Sequence, residues 1–295
     1  MNPADQDEES ARTVAERRSS SALWGGMLVG GLLAVSVLVA PSCEQPSEET
    51  VLPVEFDPPA PEAPEIEVFR AQVVKRYPHD RGAFTQGLLW ADGKLYESTG
   101  QYGSSTLRRV RLDDGRVLAE RDLGSQFFGE GLARVGDELV QLTWREEVAI
   151  VSGLDDLAEQ RTLDYSGEGW GLCYDGRSLV MSNGSAMLTF RDPETMAVQR
   201  QVTVRRDGVP ISLLNELECV DGAIYANVWR RQDIFRIDPE TGEVTGVIDA
   251  RGLLTPEQAA SADVLNGIAY RPETGTFLLT GKYWPSLFEV ELVRQ

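Results

Sequence analysis

From residue 66 to the end of the chain, apolar and polar residues alternate in short runs that end at turn residues, and the pattern recurs five times. Each copy has an alternating apolar run, a turn and a second apolar run. The copies begin at Gly87, Gly131, Gly171, Glu216 and Gly267. Their turns are Asp92-Gly93, Gly136-Asp137, Asp175-Gly176, Asp221-Gly222 and Glu273-Thr274-Gly275. Asp-Gly between alternating runs indicates a β-hairpin, so the pattern predicts five hairpins.

A third strand is predicted after each hairpin and a fourth in most copies. The third strands are expected at 105–112, 148–152, 187–191, 233–237 and 286–292, and fourth strands at 116–123, 200–204 and 243–248. Successive copies begin 44, 40, 45 and 51 residues apart. Four strands in such a repeat are typical of a β-propeller blade. The pattern therefore predicts an all-β, five-bladed β-propeller over residues 66–295, with one short helix at 255–263.

The last copy runs out of chain after three strands. A further strand, expected at 68–77, precedes the first copy and has no hairpin partner there. We predict that this N-terminal strand completes the last blade, which closes the ring and removes an open sheet edge. A closed ring needs no partner chain, so we expect a monomer.

The first 65 residues have a different character. Residues 1–22 are polar and contain Arg12, Arg17 and Arg18, whereas 23–40 is an uncharged apolar run. Such a run is a signal segment or a transmembrane anchor. No Lys or Arg follows it before Arg70, and this bias predicts a cytoplasmic N-terminus and an extracytoplasmic remainder.

Two alternatives stay open for the end of this run. Residues 39–43, Val-Ala-Pro-Ser-Cys, are similar to a bacterial lipobox, which would make Cys43 a lipidated N-terminus. The other alternative is a retained anchor. Residues 41–65 are rich in Pro and Glu and predict a disordered linker. Either way, we expect a membrane-tethered protein in the cell envelope.

Composition excludes several functions. The net charge of −19 disfavours nucleic-acid binding, which needs clustered basic residues. The one histidine, His79, excludes a zinc site built from several histidines, and we expect it in a loop. Three cysteines are too few for a disulfide framework. We expect Cys173 and Cys219 to be buried thiols, with a disulfide between them as the alternative.

Polar and aromatic residues occupy one repeated position, directly before the start of each copy. They are Gln86, Glu130, Trp170, Asn215 and Asn266. The ends of the second strands add Trp144, Asn183, Trp229 and Lys282, with Trp284 nearby. Each alone could serve packing or a loop hydrogen bond. Because the first strand of a blade lines the channel, five such residues at one position predict a binding site at its mouth.

Seven short motifs occur in order along the chain, at 77–88, 97–103, 128–132, 169–172, 214–218, 264–269 and 280–285. Together they resemble the plant and bacterial type of glutaminyl-peptide cyclotransferase. The resemblance implies a metal-independent acyltransferase without a cofactor, which converts N-terminal glutaminyl residues of peptides to pyroglutamate with release of ammonia. It implies that Glu130 is catalytic. The substrate-binding residues that it implies are Phe84, Gln86, Trp144, Trp170, Asn215, Trp229 and Lys282.

Two other functions stay open at this point. One is a non-catalytic binding propeller of the envelope. The other is a metal-dependent propeller hydrolase, with Glu130, Asn215 and Asn266 around Ca²⁺. Glu216, which replaces a repeat glycine, and Glu218 are further acid–base candidates that we rank below Glu130.

Overall fold

The structure is a computed structural model, and it describes residues 65–295. The predicted segments 1–22 and 23–40, Cys43 and all but the last residue of the linker 41–65 lie outside the described residues. The described chain is all-β with one single-turn helix, as predicted. Within it, we find no helix of the length and apolarity that a membrane crossing requires.

The described chain begins with a long strand, β1 (Glu67–Pro78). Three four-stranded antiparallel sheets follow, each hydrogen-bonded in chain order. The first contains β2 (Thr85–Ala91), β3 (Lys94–Thr99), β4 (Thr106–Val110) and β5 (Val117–Asp122). The second contains β6 (Gly129–Val135), β7 (Glu138–Thr143), β8 (Val148–Gly153) and β9 (Glu159–Asp164). The third contains β10 (Leu172–Tyr174), β11 (Leu179–Met181), β12 (Met187–Arg191) and β13 (Val198–Thr203).

The last part of the chain forms two more groups of four strands. A small hairpin that the pattern did not predict precedes them, β14 (Arg205–Arg206) and β15 (Val209–Pro210). The fourth group contains β16 (Leu214–Val220), β17 (Ala223–Val228), β18 (Asp233–Ile237) and β19 (Val244–Asp249). The fifth contains β20 (Leu265–Arg271), β21 (Thr276–Gly281), β22 (Ser286–Arg294) and the N-terminal β1.

Strand β1 joins the two ends of the described chain. It pairs antiparallel with β22 from Phe69 to Pro78, as expected for the N-terminal strand. Its first residues, 67–70, also pair in parallel with β19. The fourth and fifth groups are therefore one continuous eight-stranded sheet, which the sequence pattern did not predict.

Local turn chemistry explains the hairpins. Asp92 and Gly93 have φ angles of 50° and 72°, and Asp221 and Gly222 have φ angles of 49° and 77°. Positive φ at both central residues is the requirement of a type I′ turn, whose twist matches that of paired strands. The Asp-Gly signals were therefore correct at these two positions.

The first strand of each group approaches the first strand of the next. These first strands are β2, β6, β10, β16 and β20, and their contacts follow this order and return from β20 to β2. The repeat glycines permit the approach. A Cβ on Gly87 would lie 2.6 Å from the backbone nitrogen of Leu132, and one on Gly131 would lie 2.4 Å from that of Leu172. The glycines are therefore required by backbone packing between groups.

The core lies between successive groups. Tyr96 and Leu107 of the first group, for example, pack with Leu132, Leu139 and Ile150 of the second, and all five are almost fully buried. Burying a large apolar side chain contributes about 1.5–3 kcal/mol, so these layers hold adjacent sheets face to face.

A disulfide bond joins two adjacent first strands. Cys173 in β10 and Cys219 in β16 are bonded, with 5.5 Å between their Cα atoms. Our expectation of two buried thiols was therefore wrong, and the alternative was correct. The close approach of the first strands brings the two Cα atoms into the range that a disulfide requires.

Among residues 65–295 the one helix, α1 (Pro256–Ala259), is shorter than the predicted 255–263. Thr255 caps it, and the side chain of Gln258 bonds back to the cap in a capping box. Proline at the first helical turn lacks only an N–H group that would have no helical partner. These signals set where the helix begins.

We expect Gly131→Ala to destabilise the protein by about 3 kcal/mol, because its Cβ would overlap backbone atoms that cannot move aside. Gly136→Ala is the control. Gly136 has a φ of 60° with open space around it, so alanine there costs only about 1 kcal/mol of backbone strain. Urea unfolding monitored by circular dichroism measures both, and equal losses would contradict the packing role.

Candidate active site

Four of the polar residues that directly precede the repeat copies lie near the start of the first strands, where the strand pairing is irregular. The strand register shifts between Thr85 and Gly87, Gly129 and Leu132, Leu214 and Leu217, and Leu265 and Ile268. These shifts contain Gln86, Glu130, Asn215 and Asn266. A bulge adds a residue to one strand and redirects its side chain, and bulges are common beside active sites. The bulges thus redirect these four side chains away from the regular alternation of the strands.

Three of these four residues, Asn266, Gln86 and Glu130, form a continuous series of hydrogen bonds. Nδ2 of Asn266 donates to Oε1 of Gln86 over 3.1 Å and to the backbone carbonyl of Thr85 over 3.0 Å. Nε2 of Gln86 donates to Oε1 of Glu130 over 3.0 Å. All three side chains are at most 4% exposed. Side chains from β20, β2 and β6 therefore meet at one place.

Aromatic rings lie beside this series of hydrogen bonds. The ring centroids of Phe84 and Phe128 are 6.0 Å apart in an edge-to-face arrangement, and those of Phe128 and Trp144 are 5.4 Å apart. Nζ of Lys282 lies 4.3 Å from the centroid of Phe84, in the range of a cation–π interaction. A Cβ on Gly100 would collide with Phe128 and approach Gln86, so these rings pack directly against the hydrogen-bonded residues.

A second pair of rings completes the wall. Trp170 and Trp229 lie edge to face, with centroids 6.2 Å apart. One carboxylate oxygen of Glu168 accepts the indole N–H of Trp144 over 3.0 Å and that of Trp170 over 3.1 Å. Glu168 therefore links the two groups of rings into one continuous wall, which we call the aromatic wall. Its members, in spatial order, are Phe84, Phe128, Trp144, Trp170 and Trp229.

The remaining predicted residues differ in their surroundings. Asn215 is buried, and its Oδ1 has no hydrogen-bond partner among the described residues. Asn183 is exposed and accepts from Ser185, so it does not belong to the buried cluster. Trp284 packs in the core beside Phe288. Second-strand ends therefore supply Trp144, Trp229 and Lys282 to the candidate site, but not the other two.

Sequence reasoning missed two members of the site, Phe128 and Glu168. Phe128 was within reach of the pattern, because it stands two residues before Glu130 in a motif that carries the family resemblance. Glu168 lies in the loop before Trp170, where no periodic pattern exists. Its role depends on the position of Trp144, which is distant in sequence, and no local signal could have identified it.

The second carboxylate candidate, Glu216, has a structural role. Its two oxygens accept the backbone N–H groups of Leu88, over 3.2 Å, and of Ile268, over 2.8 Å. It therefore ties β16 to β2 and β20. Burial, together with the nearby Glu218 carboxylate, raises the pKa of Glu216. Burial also raises the pKa of Glu218 to about 8, and this side chain accepts from the backbone of Tyr270.

His79 lies in the loop after β1, as expected, but its side chain is buried and hydrogen-bonded. Its Nδ1 lies 2.8 Å from the carbonyl of Trp284, and its Nε2 lies 3.0 Å from Glu97, which also accepts from Thr85 and Arg108. Burial favours the neutral ring, but the Glu97 carboxylate outweighs it and raises the pKa of His79. Burial alone would raise the pKa of Glu97, yet His79 and Arg108 lower it to about 2. This ion cluster supports the backbone beside Gln86.

No group of three or more His, Cys, Asp or Glu side chains within 65–295 is placed to hold a metal ion. The fold and the site define an all-β protein with a buried glutamate, an amide donor and an aromatic wall. Such a set of side chains is typical of an enzyme that binds a small polar group.

Comparisons with known proteins identify the family. A family model described as glutamine cyclotransferase matches residues 47–292. A glutaminyl-peptide cyclotransferase of Arabidopsis thaliana is 39% identical over 227 residues, which cover 75% of this chain and 71% of the relative. The crystal structure of Myxococcus xanthus glutaminyl cyclase is similar, with a TM-score of 0.72 and 44% identity over 78% of this chain and 100% of that one.

The chain belongs to the glutamine cyclotransferase family. The resemblance found in the sequence is therefore confirmed, as is the prediction of an acyltransferase with glutaminyl-peptide cyclotransferase activity.

We expect His79→Gln to lower the free energy of unfolding by about 3–5 kcal/mol below pH 6.5, where the buried imidazolium–carboxylate pair is complete. The folded-state pKa of His79 is raised, so this contribution is lost as the pH rises through that pKa. Urea unfolding from pH 5.5 to 9 measures the difference from wild type. Lys75→Gln, which removes an exposed pair with Asp113, is the control and should change little. A difference that grows with pH would contradict the pairing.

On the expectation that the aromatic wall binds substrate equally before and during the reaction, Glu168→Ala should raise KM about tenfold with a smaller change in kcat. Glu168→Gln keeps an oxygen that can accept an indole N–H, so it should lie between wild type and alanine. Steady-state kinetics and tryptophan fluorescence measure the effect. If KM of Glu168→Ala stays within twofold of wild type, the link between Trp144 and Trp170 does not shape the pocket.

Proposed function

We propose that this chain acts on peptides and proteins whose first residue is glutamine, and that Glu130 is its acid–base group. The α-amino nitrogen attacks the γ-amide carbon, a five-membered lactam forms, and ammonia leaves. The observation that carries the proposal is the position of Glu130, which is buried, accepts from Gln86 and stands two residues after Phe128 of the aromatic wall.

The aromatic wall has a specific task in this reaction. Because nucleophile and electrophile belong to one residue, the enzyme gains most by holding the glutaminyl side chain curled in the reactive rotamer. Phe84, Trp144, Trp170 and Trp229 are rigid surfaces for this purpose, since they contact neighbouring rings or share the Glu168 carboxylate.

Glu130 moves the protons. The attacking amine becomes a better nucleophile as it loses a proton to Glu130, and the γ-amide nitrogen must gain a proton to leave as ammonia. A single carboxylate that takes the first proton and delivers the second balances the reaction, and it returns to its starting state after each turnover.

Two residues are suited to the developing charge on the γ-carbonyl oxygen. Lys282 carries a positive charge beside Phe84, and Asn215 brings a buried amide to the same end of the first strands. Preorganised donors of this kind stabilise an oxyanion in a site from which water is excluded. Gln86 donates to Glu130 and so belongs to the acid–base side of the site.

We further propose that the five groups of strands are the blades of a five-bladed β-propeller. The four-stranded antiparallel groups, the cyclic contacts of their first strands and the addition of β1 to the last group support this architecture. A ring closed in this way needs no second chain, which supports a monomer.

We also propose that the enzyme is tethered on the outer side of a membrane, either through 23–40 or through a lipidated Cys43. The bond between Cys173 and Cys219 supports an extracytoplasmic location, because disulfides persist mainly in oxidising compartments. The arginines before residue 23 support the same orientation. Its partners would then be exported peptides and the membrane, without nucleic acid.

We expect Glu130→Gln to lower kcat by about 10²–10⁴, the range for loss of a general acid–base group. Ammonia release from a peptide with N-terminal glutamine, coupled to glutamate dehydrogenase, measures the rate. Glu194→Gln, at an exposed position, is the matched control. Near-wild-type turnover by a folded Glu130→Gln protein would rule out the acid–base role.

A further inference from the structure

The side-chain amide of Gln86 can face Glu130 in two orientations, and its other contacts must select one of them. The oxygen and nitrogen of a side-chain amide have nearly the same shape, so a half-turn of the amide exchanges donor for acceptor. With Nε2 toward Glu130, the amide stabilises the carboxylate. With Oε1 toward Glu130, it repels the carboxylate and stabilises only the protonated acid.

Asn266 is placed to make that selection. The carbonyl of Thr85 can only accept, and Nδ2 of Asn266 donates to it over 3.0 Å. The same nitrogen donates to Oε1 of Gln86 over 3.1 Å, which leaves Nε2 of Gln86 for Glu130. This carbonyl belongs to the backbone of β2, so its direction is fixed by the strand. The direction of every hydrogen bond in the series is therefore set at the Thr85 carbonyl.

We propose that Asn266 is a positioning residue for the cyclisation, which acts on Glu130 only through the amide of Gln86. By keeping an N–H donor against the carboxylate, it holds Glu130 ready to accept a proton from the substrate amine. The inference rests on the proposed role of Glu130. Burial strengthens this selection. Asn266 is fully buried, so the hydrogen bonds between Asn266, Gln86 and Glu130 do not exchange with bulk water.

A purely structural role for Asn266 makes a different prediction. The residue is the second of β20, and replacing it would then weaken the fold without regard to Gln86. The neighbouring Asn227 has such a role: it is buried, and its Oδ1 accepts the backbone N–H of Gly267 over 3.0 Å. Asn227→Ala is therefore a matched control, since it disturbs the same part of β20 without a hydrogen bond to Gln86.

The test is a double-mutant cycle on the full-length protein, with kcat for ammonia release from a peptide with N-terminal glutamine as the readout. We expect Asn266→Ala to lower kcat about tenfold, as the loss of one buried hydrogen bond predicts. In a Gln86→Met background, which has no amide to orient, Asn266→Ala should change kcat by less than about twofold. Asn227→Ala should have the same effect on kcat in both backgrounds.

Asn266→Asp provides a second cycle if the alanine variant does not fold. It keeps the size of the side chain but replaces the donor by an acceptor. Its loss of kcat should be smaller in the Gln86→Met background, where only the contact with the Thr85 carbonyl is disturbed. Equal losses in both backgrounds, or wild-type kcat in folded Asn266→Ala, would overturn the inference. The proposed function fails separately, if wild type releases no ammonia or Glu130→Gln keeps its full rate.

Discussion

The close approach of the five first strands is the constraint on which the rest of the structure depends. Two glycines, Gly87 and Gly131, let one backbone lie against the next at distances that a Cβ would forbid. The same approach places the bulged residues at the strand starts side by side. Asn266 and Gln86 are 180 positions apart in the chain, and their amides nevertheless meet. Backbone packing and site assembly thus have one cause.

Glu216 shows what the approach costs where glycine is absent. Its carboxyl group is buried between first strands, and burial alone strongly disfavours its charged form. The backbone N–H groups of Leu88 and Ile268 donate to this carboxyl group. These hydrogen bonds offset part of the cost of burial and connect three groups of strands. Glu130 is also buried but accepts from the side chain of Gln86. Partners, rather than burial, distinguish the structural glutamate from the catalytic candidate.

Local patterns predicted the parts of the structure that local forces determine. The strand at Met187–Arg191 and the turn at Asp92 follow from alternation and turn chemistry within a few residues. Contacts between segments distant in sequence could not be predicted from local patterns. The burial of His79 depends on Glu97 and Trp284 in two other strands or turns, and nothing in the sequence near His79 reveals either. The disulfide was undecided for the same reason, since pairing needs a Cα distance.

An ordered candidate site suits the proposed cyclisation. Fixing the side chain of a free glutamine in one rotamer costs about 1.5–2 kcal/mol, and cyclisation also requires that the amine and the amide approach at the right angle. A loose pocket would have to order its own side chains at the same moment. Here Trp144 and Trp170 share the carboxylate of Glu168, and Gln86 is held between Asn266 and Glu130. These side chains are ordered when the protein folds, so in the proposed mechanism binding energy from the substrate remains available to hold the glutaminyl residue in its reactive shape.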